Sequence, residues 1–238
     1  MQRLRMIDRI NKVYVLHVKK GYEERAIHME KELKKFDIAF EYMLDYDIPD
    51  LTENDLNKYY KNNDLDQPNL SVGMKHIEVL NKIVDNQFAL TLVFEDDVYL
   101  EDNFIEIVNK TIDELALKKS ANVVSLGNAG NLYVDTKDLK ENQYLYQAKR
   151  HRAADSYLID LEAAKSRLSW LLENKTDETA GHMYNTIDNE VGNTIYWLSP
   201  TVVEQGSQNG FMKSSVSKNK FFHRYRWLWR DFKKKHNI

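Results

Sequence analysis

The sequence contains no cysteine, and its glycines and prolines are few. The absence of cysteine excludes disulfide bonds, zinc–thiolate sites and a cysteine nucleophile. The eight glycines include no Gly-x-Gly and no P-loop arrangement, so the glycine-rich phosphate loop that is usual in nucleotidyl and phosphoryl transferases is missing. Two of the three prolines lie between residues 45 and 69. That polar stretch has no sustained period, and a loop of such length in a compact domain is often functional.

Long hydrophobic runs are also absent. No window approaches the roughly 20 apolar residues that span a membrane, and residues 1–12 lack the continuous apolar core of a signal peptide. We therefore expect a cytoplasmic protein. A chain of 238 residues that is 42% hydrophobic and 30% charged is typical of a soluble globular protein. Its length suits one large domain, or one domain with a small appendage.

Positive charge is concentrated at the C-terminus. Residues 217–238 contain eight cations and one acid, a net charge of +7, so with −3 overall residues 1–216 carry −10. Aromatic residues alternate with the cations in residues 221–230, which suits an anionic membrane interface. We expect a basic, aromatic helical tail that contacts the inner face of the cytoplasmic membrane or packs its tryptophans on the domain. The acidic body argues against nucleic acid as a partner.

Strand and helix patterns alternate along the chain, which predicts an α/β fold with a mostly parallel sheet flanked by helices. Short apolar runs predict strands, and apolar residues at i, i+3 and i+4 predict helices. The predicted strands cover residues 12–18, 38–43, 89–94, 122–126, 156–159 and 194–198, and the predicted helices cover residues 22–36, 53–60, 71–85, 104–118 and 161–172. Residues 135–142 are predicted to be a polar loop and residues 178–185 an open turn.

An acidic triplet, Glu95-Asp96-Asp97, directly follows the uncharged apolar run of residues 89–94. Such a run predicts a strand buried on both faces, and open α/β sheets bind ligands at the carboxyl ends of their strands. Three adjacent acids repel one another, and hard oxygen ligands would bind Mg²⁺ or Mn²⁺ together with phosphate. A solvated acidic turn before a helix explains the triplet equally well, because acids suit a helix N-terminus.

Five parts of the chain, taken in order, match the pattern of one enzyme family. The first is Glu24-Arg25 after the first strand, and the second is Leu70-Ser71-Val72-Gly73-Met74-Lys75-His76, in which Lys75 stands where serine is usual. The third is Leu92-Val93-Phe94-Glu95-Asp96-Asp97-Val98, which is similar to an acidic V-x-E-D-D signature, and the fourth is Ala154-Asp155-Ser156-Tyr157-Leu158-Ile159 before an alanine-rich helix. The fifth is a late block of Ile187-Asp188, Tyr196-Trp197-Leu198-Ser199-Pro200, Val203-Glu204-Gln205-Gly206-Ser207 and Ser214-Ser215. The combination, over residues 12–216, resembles glycosyltransferase family 25, the bacterial lipooligosaccharide (LPS) galactosyltransferase-like enzymes.

This resemblance implies a GT-A fold, with a Rossmann-like nucleotide-sugar half at residues 1–130, an acceptor half at residues 131–216 and residues 217–238 as the tail. It implies a β-galactosyltransferase that moves a hexose, most commonly galactose, from a UDP-sugar with inversion. The acceptor would be a lipooligosaccharide or another glycan or lipid-linked oligosaccharide. The cofactor would be Mn²⁺ or Mg²⁺, held by the acidic motif.

The candidate metal ligands are Asp97 first, Asp96 second and Gln205 third. A Gln205 carbonyl is acceptable to a hard metal but binds it weakly, so we expect a labile, substrate-dependent ion. Alternatively, Gln205 only hydrogen-bonds the nucleotide or the backbone. Asp96 is also a nucleotide-binding candidate, whereas Glu95, closest to the strand, is expected to contact the ribose or a nearby cation.

Four further residues are candidates for binding the donor. The guanidinium of Arg25 can pair bidentately with phosphate, although a solvated charge on the first helix is the alternative. His76 could contact the diphosphate or the sugar, although a lone histidine is more often structural, as we expect for His17. Gly127 and Asn128 follow a strand, and the glycine would let the backbone approach the donor.

An inverting transfer needs a base for the acceptor hydroxyl, on the face opposite UDP. Asp188 is the first candidate because it follows the predicted open turn in the acceptor half. Asp155 and Glu190 are the competitors. Any of the three could instead be a helix cap or a surface acid.

Three other functions remain open. The first is a catalytically inactive, transferase-like binding protein that docks through its basic aromatic tail, against which the intact acidic triplet argues. The second is a Mg²⁺-dependent nucleotidyl or phosphoryl transferase, against which the missing glycine-rich loop argues. A glycoside hydrolase is a weaker rival, because the triplet is too crowded to place carboxyls across a sugar ring.

Overall fold

The computed structural model describes residues 9–62, 64–129, 132–212 and 228–229. The predicted basic tail therefore lies outside the described residues apart from Leu228 and Trp229. Among the helices of the described ranges, none combines the length and the apolar character that crossing a bilayer requires.

Strands and helices alternate as the sequence predicts. In the described residues the strands are β1 (Lys12–Leu16), β2 (Glu41–Met43), β3 (Leu90–Glu95), β4 (Val98–Leu100), β5 (Asn122–Ser125), β6 (Leu145–Ala148), β7 (Ser156–Asp160), β8 (Thr194–Leu198) and β9 (Val203–Gln205). The helices are α1 (Glu23–Lys34), α2 (Glu53–Tyr59), α3 (Gln67–Asn86), α4 (Phe104–Leu115), α5 (Leu161–Asn174), α6 (Ala180–Val191) and α7 (Gly206–Asn209). Two 3₁₀ turns, Ile48–Asp50 and Thr136–Asp138, lie in the polar loops.

Seven strands form the main sheet in the order β2-β1-β3-β7-β5-β8-β6. Five of them point the same way, whereas β7 and β6 run antiparallel to their neighbours. The prediction of a mostly parallel sheet flanked by helices is confirmed. Because β7 is antiparallel, its first residue lies at the edge where β3 and β5 end. Residues just before β7 therefore reach the same sheet edge as the acidic triplet.

A small second sheet brings the late block of the sequence to the acidic triplet. β4 follows the triplet directly and pairs antiparallel with β9, with Val98 opposite Gln205. An isolated bridge joins Val203 to Gly127 at the end of β5. The two candidate metal ligands Asp97 and Gln205, more than 100 residues apart in the chain, thus become neighbours.

The apolar run in β3 is buried on both faces, as predicted. Leu92, Val93 and Phe94 are all 0% exposed. Leu92 and Phe94 belong to one hydrophobic core and Val93 to the other, because side chains alternate across a strand. Helices α1 and α4 cover the first core, and α3, α5 and α6 cover the second. The rigid position of β3 fixes where its acidic end lies.

Helix α6 corrects a prediction. Residues 178–185 were expected to form an open turn, but the helix begins at Ala180 and buries Met183, Tyr184 and Ile187. These residues have helical spacing, which the polar residues among them obscure. Strands β4, β6 and β9, of three or four residues each, were also not predicted.

Gly73 is required by close packing between α3 and the residue that follows α2. A Cβ atom at position 73 would lie 1.9 Å from the hydroxyl oxygen of Tyr60 and 3.3 Å from its ring carbon Cζ. Tyr60 is 1% exposed, and its hydroxyl has no hydrogen-bond partner in the part of the chain that the structure describes. The buried ring cannot swing away, so the glycine is a packing requirement.

We predict that Gly73→Ala lowers the free energy of unfolding by about 1–3 kcal/mol, the usual cost of overpacking a core, although alanine favours a helix by about 1 kcal/mol. Tyr60→Phe removes the colliding atom and an unpaired buried hydroxyl. The variant carrying both substitutions should therefore recover most of the loss. Urea unfolding of the four proteins forms a double-mutant cycle, and strictly additive effects would contradict the contact.

A buried ion pair, Arg167–Asp188, joins α5 to α6. Arg167 donates from Nε to Asp188 Oδ1 at 2.8 Å and from Nη2 to Oδ2 at 2.6 Å, and both side chains are 0% exposed. His151 Nε2 bonds the same carboxylate, and Asn193 Nδ2 donates to it at 2.8 Å. The guanidinium also lies 3.8 Å from the ring centroid of Tyr184. Every oxygen of this carboxylate is engaged.

This environment contradicts the expected role of Asp188 as the catalytic base. Burial alone would raise its pKa, but the charge of Arg167 and the hydrogen bonds from Arg167 and His151 outweigh burial and hold the pKa well below its usual range. A base must be free to accept the proton of the acceptor hydroxyl, and both oxygens of Asp188 are already bonded to Arg167, His151 and Asn193. Asp188 stabilises the fold instead.

We predict that Asp188→Asn lowers the free energy of unfolding at neutral pH by about 3–5 kcal/mol, because it leaves the buried charge of Arg167 uncompensated. The native pKa is depressed, so the contribution is present above the ordinary aspartate pKa of about 4 and is lost as the pH falls below it. The deficit should therefore shrink in acid. Urea titrations between pH 3 and pH 7 measure it.

Glu190→Gln is the matched control, because Glu190 is an exposed acid on the same helix. Its effect should stay within about 0.5 kcal/mol. A deficit for Asp188→Asn no larger than that of the control would refute the structural role.

Candidate active site

Carboxylates converge at the edge of the main sheet where β3 and β5 end. Glu95 is the last residue of β3, and Asp96 and Asp97 form the turn into β4. Asp155 precedes β7 at the same edge, and its backbone oxygen accepts a hydrogen bond of 2.8 Å from the backbone nitrogen of Glu95. The antiparallel insertion of β7 thus adds a fourth acid to the predicted triplet.

Asp96 is held by two side chains, His17 directly after β1 and Arg25 in α1. Arg25 Nη1 donates to Asp96 Oδ1 at 2.5 Å, and His17 Nδ1 lies 2.7 Å from Oδ2. Both oxygens of Asp96 are therefore engaged within the protein, whereas it was expected to bind the metal and the nucleotide. His17 is structural, as predicted, because it anchors this carboxylate.

Arg25 is not the solvated charge that the sequence allowed, since it is only 6% exposed. Burial works against its charged form, but Asp96 and Asp97 outweigh burial and raise the pKa of Arg25. The guanidinium is committed to Asp96 rather than placed for bidentate pairing with a phosphate. The Arg25–Asp96 pair fixes the acidic turn.

Asp97 carries the unsatisfied oxygen of the site. Its Oδ2 accepts a hydrogen bond of 3.1 Å from the backbone nitrogen of Ser207, whereas its buried Oδ1 has no hydrogen-bond partner among the described residues. Its backbone oxygen accepts from the nitrogen of Gly206 at 2.6 Å. A Cβ at position 206 would lie 2.8 Å from that oxygen, so glycine is needed there. Burial, together with the charge of Asp96, raises the pKa of Asp97.

Glu95 and Gln205 contact each other, as their predicted places in one site require. Gln205 Nε2 donates to Glu95 Oε2 at 2.9 Å. Burial first, and then the charges of Asp97 and Asp96, raise the pKa of Glu95 to about 8. Its side chain is 26% exposed, so it is the acid of the triplet that remains open to solvent.

His76 supports this site from behind. Its ring is 0% exposed, with Nε2 at 3.7 Å from Glu95 Oε1 and Nδ1 at 3.1 Å from the hydroxyl of Tyr157. Burial, aided by the charge of Arg167, lowers the pKa of His76 to about 3, so the ring is neutral. The enclosed ring packs against Tyr157 and Glu95 rather than facing open space, which favours the structural alternative over the expected nucleotide contact.

Because Gly127 has no side chain, the carboxylate of Asp155 can lie close to its backbone, whereas the sequence predicted that a donor would do so. A Cβ at position 127 would lie 2.7 Å from Asp155 Oδ2, an oxygen that also accepts from Ser156 Oγ at 2.9 Å. Burial, and then the charge of Glu95, raise the pKa of Asp155 to about 7. Asn128 is 5% exposed and donates to the hydroxyl of Tyr133 at 2.9 Å.

The residues Glu95, Asp97 and Asp155 form a carboxylate cluster whose charges are not balanced within the site. Each has a raised pKa, and the charges of its neighbours contribute to the rise. Together with the unsatisfied oxygen of Asp97, this hard-oxygen set fits a divalent cation. Among the described side chains, however, no three His, Asp or Glu residues lie close enough to enclose a metal by themselves. The fit is therefore to an ion that takes its other ligands from water and a bound diphosphate, as Mg²⁺ commonly does.

Two outcomes concern residues away from the cluster. Glu190, a candidate base, is exposed on α6 and accepts a hydrogen bond of 2.7 Å from Trp170 Nε1.

Arg152 was not among the predicted site residues, although it lies two residues before the segment that begins at Ala154. It is 6% exposed and donates to the backbone oxygens of Gly127 and Leu198 at the ends of β5 and β8.

Comparison with solved structures gives distant likenesses. A glycosyltransferase involved in the glycosylation of the major capsid of PBCV-1 is 10% identical, with 93% of this chain and 99% of that chain covered and a TM-score of 0.45. A Drosophila β-1,4-galactosyltransferase 7 mutant, in complex with manganese, UDP-Gal and xylobiose, is 10% identical, with 91% and 79% covered and a TM-score of 0.38. These scores are too low to decide function.

No curated protein matches the sequence. The comparison with protein families, in contrast, gives a match over most of the chain. The family model of glycosyltransferase family 25, described as LPS biosynthesis protein, matches residues 10–200. That range contains β1 to β8 and the whole carboxylate cluster, so the family resemblance is confirmed up to residue 200, whereas the segment with Gln205 lies beyond the match. The chain therefore belongs to glycosyltransferase family 25.

Proposed function

We propose that this glycosyltransferase moves a hexose, with galactose as the first candidate, from a UDP-sugar to a lipooligosaccharide or another glycan. The transfer inverts the anomeric configuration and depends on Mn²⁺ or Mg²⁺. The observation that carries the proposal is the carboxylate cluster at the end of β3, β5 and β7, with one buried oxygen of Asp97 left unsatisfied. Membership of the family supplies the reaction class.

The donor side of the site is assigned to the triplet and to Gln205. Asp97 would hold the ion, with Gln205 beside it on β9, and the ion would stabilise the charge that develops on the leaving diphosphate. The Arg25–Asp96 pair keeps the turn that carries Asp97 in place. Gln205 in turn fixes Glu95 through the hydrogen bond between their side chains.

The acceptor side of the site is assigned to Asp155. Of the three candidate bases, Asp188 has both oxygens engaged by its partners and Glu190 lies on the surface of α6. Asp155 is only 3% exposed, but it belongs to the carboxylate cluster and its pKa is raised to about 7. In the proposed step the acceptor oxygen bonds to the anomeric carbon while the bond from that carbon to the diphosphate breaks. The hydroxyl proton passes to the carboxylate of Asp155.

We predict that UDP raises the Tm of the wild-type protein only when Mn²⁺ is present. At UDP concentrations of about 100 times Kd the shift should be about 5–10 °C for a chain of this size. Asp97→Asn should weaken metal-dependent UDP binding by about tenfold or more, because it removes the charged ligand. Thermal melts with UDP, Mn²⁺ and a chelator measure both effects.

Asp102→Asn is the control, because it removes an exposed acid five residues further along the chain. It should behave as the wild type does. An equal UDP shift after chelation, or an unchanged metal-dependent shift in Asp97→Asn, would exclude the proposed metal site.

We predict that the protein hydrolyses UDP-Gal faster than UDP-Glc, UDP-GlcNAc or UDP-GalNAc, and that chelation abolishes hydrolysis. Release of the β-anomer from the α-linked donor, followed by NMR, tests inversion. Metal-dependent UDP binding without hydrolysis of any donor would favour an inactive, transferase-like binding protein. Release of diphosphate from a nucleoside triphosphate would favour a nucleotidyl transferase.

A further inference from the structure

Arg152 is a buried arginine whose guanidinium is only partly satisfied. Its Nη1 donates to the backbone oxygen of Gly127 at 3.0 Å and to that of Leu198 at 2.7 Å. Its Cζ lies 4.8 Å from the ring centroid of Trp197. Its Nε and Nη2 are buried and have no hydrogen-bond partner among the described residues. Two backbone oxygens are therefore its only hydrogen-bond acceptors in the part of the chain that the structure describes.

The unpartnered atoms of Arg152 form one edge of the guanidinium. Nε and Nη2 point their hydrogens in the same direction, which is the fork that pairs bidentately with a carboxylate or phosphate. Burial lowers the pKa of Arg152 to about 10, so the group remains charged at neutral pH. Tyr133 and Asp155 act against this effect of burial, but no carboxylate of the described residues is hydrogen-bonded to the guanidinium, and a buried charge that lacks such a partner is destabilising. The other two arginines that are buried in the described part of the chain, Arg25 and Arg167, each hold a carboxylate.

The position of Arg152 indicates which substrate supplies the missing anion. Its carbonyl partners are at the ends of β5 and β8, whereas the triplet is at the end of β3, and β7 lies between β3 and β5. Asp155, which precedes β7, therefore separates Arg152 from the proposed metal ligand Asp97. In an inverting transfer the donor and the acceptor lie on opposite sides of the reacting carbon, and the base stands with the acceptor.

We propose that the Nε–Nη2 edge of Arg152 binds an anionic group, a carboxylate or a phosphate, on the acceptor glycan. This inference rests on the proposed transfer to a glycan and names the class of acceptor. Because both nitrogens are shielded from solvent, the anion reaches them after the neighbouring side chains shift. The ligand completes the coordination of the guanidinium and places the acceptor hydroxyl near Asp155.

The test compares methyl β-D-glucuronoside, glucose 6-phosphate and methyl β-D-glucoside as acceptor probes, with UDP-Gal and Mn²⁺. We predict that the concentration giving half-maximal transfer, or half-maximal suppression of donor hydrolysis, is at least tenfold lower for an anionic probe than for the neutral glucoside. The comparison of the carboxylate with the phosphate shows which anion fits. Equal concentrations for the three probes, or no response to any, would overturn the inference.

Arg152→Gln should remove the preference for the anionic probe, and Arg152→Lys should retain part of it, because lysine keeps the charge but not the fork. Arg150→Gln, which removes an exposed arginine two residues earlier, should retain the preference in full. A purely structural Arg152 predicts that both Arg152 variants weaken all three probes equally, and that result would also overturn the inference.

A separate measurement tests the proposed function itself. Metal-dependent UDP binding and hydrolysis by the wild-type protein test the donor half without any acceptor. If they are present while the anionic preference is absent, the inference fails and the proposed function stands. If they are absent, both fail.

Discussion

The buried ion pair Arg167–Asp188 determines how the second half of the chain is placed. It ties α5 to α6, and His151 joins the same carboxylate. The backbone nitrogen of His151 also donates to Asn185 Oδ1 on α6 at 2.6 Å. The segment that begins at His151 leads within four residues to Asp155. An ion pair that never meets solvent thus sets the position of the residues that do the chemistry in the proposed function.

The three adjacent acids of the triplet have different electrostatic roles because their partners differ. Asp96 is neutralised by Arg25 and flanked by His17, so it behaves as part of the scaffold. Asp97 and Glu95 have no such ion pair among the described residues, and with Asp155 they repel one another at a site where Glu95 alone is partly exposed. The repulsion makes the carboxylate cluster a receptor for positive charge. Because Arg25 neutralises Asp96, the carboxylates of Glu95 and Asp97 remain available to bind a cation.

Local sequence patterns predicted the elements that depend on local physics. The uncharged run before Glu95 predicted a buried strand, which the structure confirms. The proximity of Gln205 to Asp97 depends on the pairing of β4 with β9, and the role of the two residues as metal ligands stays a prediction. Strand direction is not encoded locally, so the antiparallel course of β7, which brings Asp155 to the site, was invisible. Nor could spacing show that Asp188 would meet Arg167, 21 residues earlier in the chain. Helix α6 was missed because the polar residues between Met183, Tyr184 and Ile187 obscure the helical spacing of these buried side chains.

The buried arginines of the described residues differ in the partners that balance their charge. Arg25 near β1 is matched by Asp96, and Arg167 beneath β7 is matched by Asp188. Among the described residues, Arg152 at the ends of β5 and β8 hydrogen-bonds backbone carbonyls alone, and the charge of Asp155 offsets the effect of burial on its pKa only in part. The edge therefore runs from an excess of negative charge at β3 to an excess of positive charge at β8, with Asp155 between them. A donor carried by a cation suits the first end and an anionic acceptor suits the second. This difference in charge would hold the donor and the acceptor at opposite ends of the sheet edge and would disfavour the binding of either substrate at the position of the other.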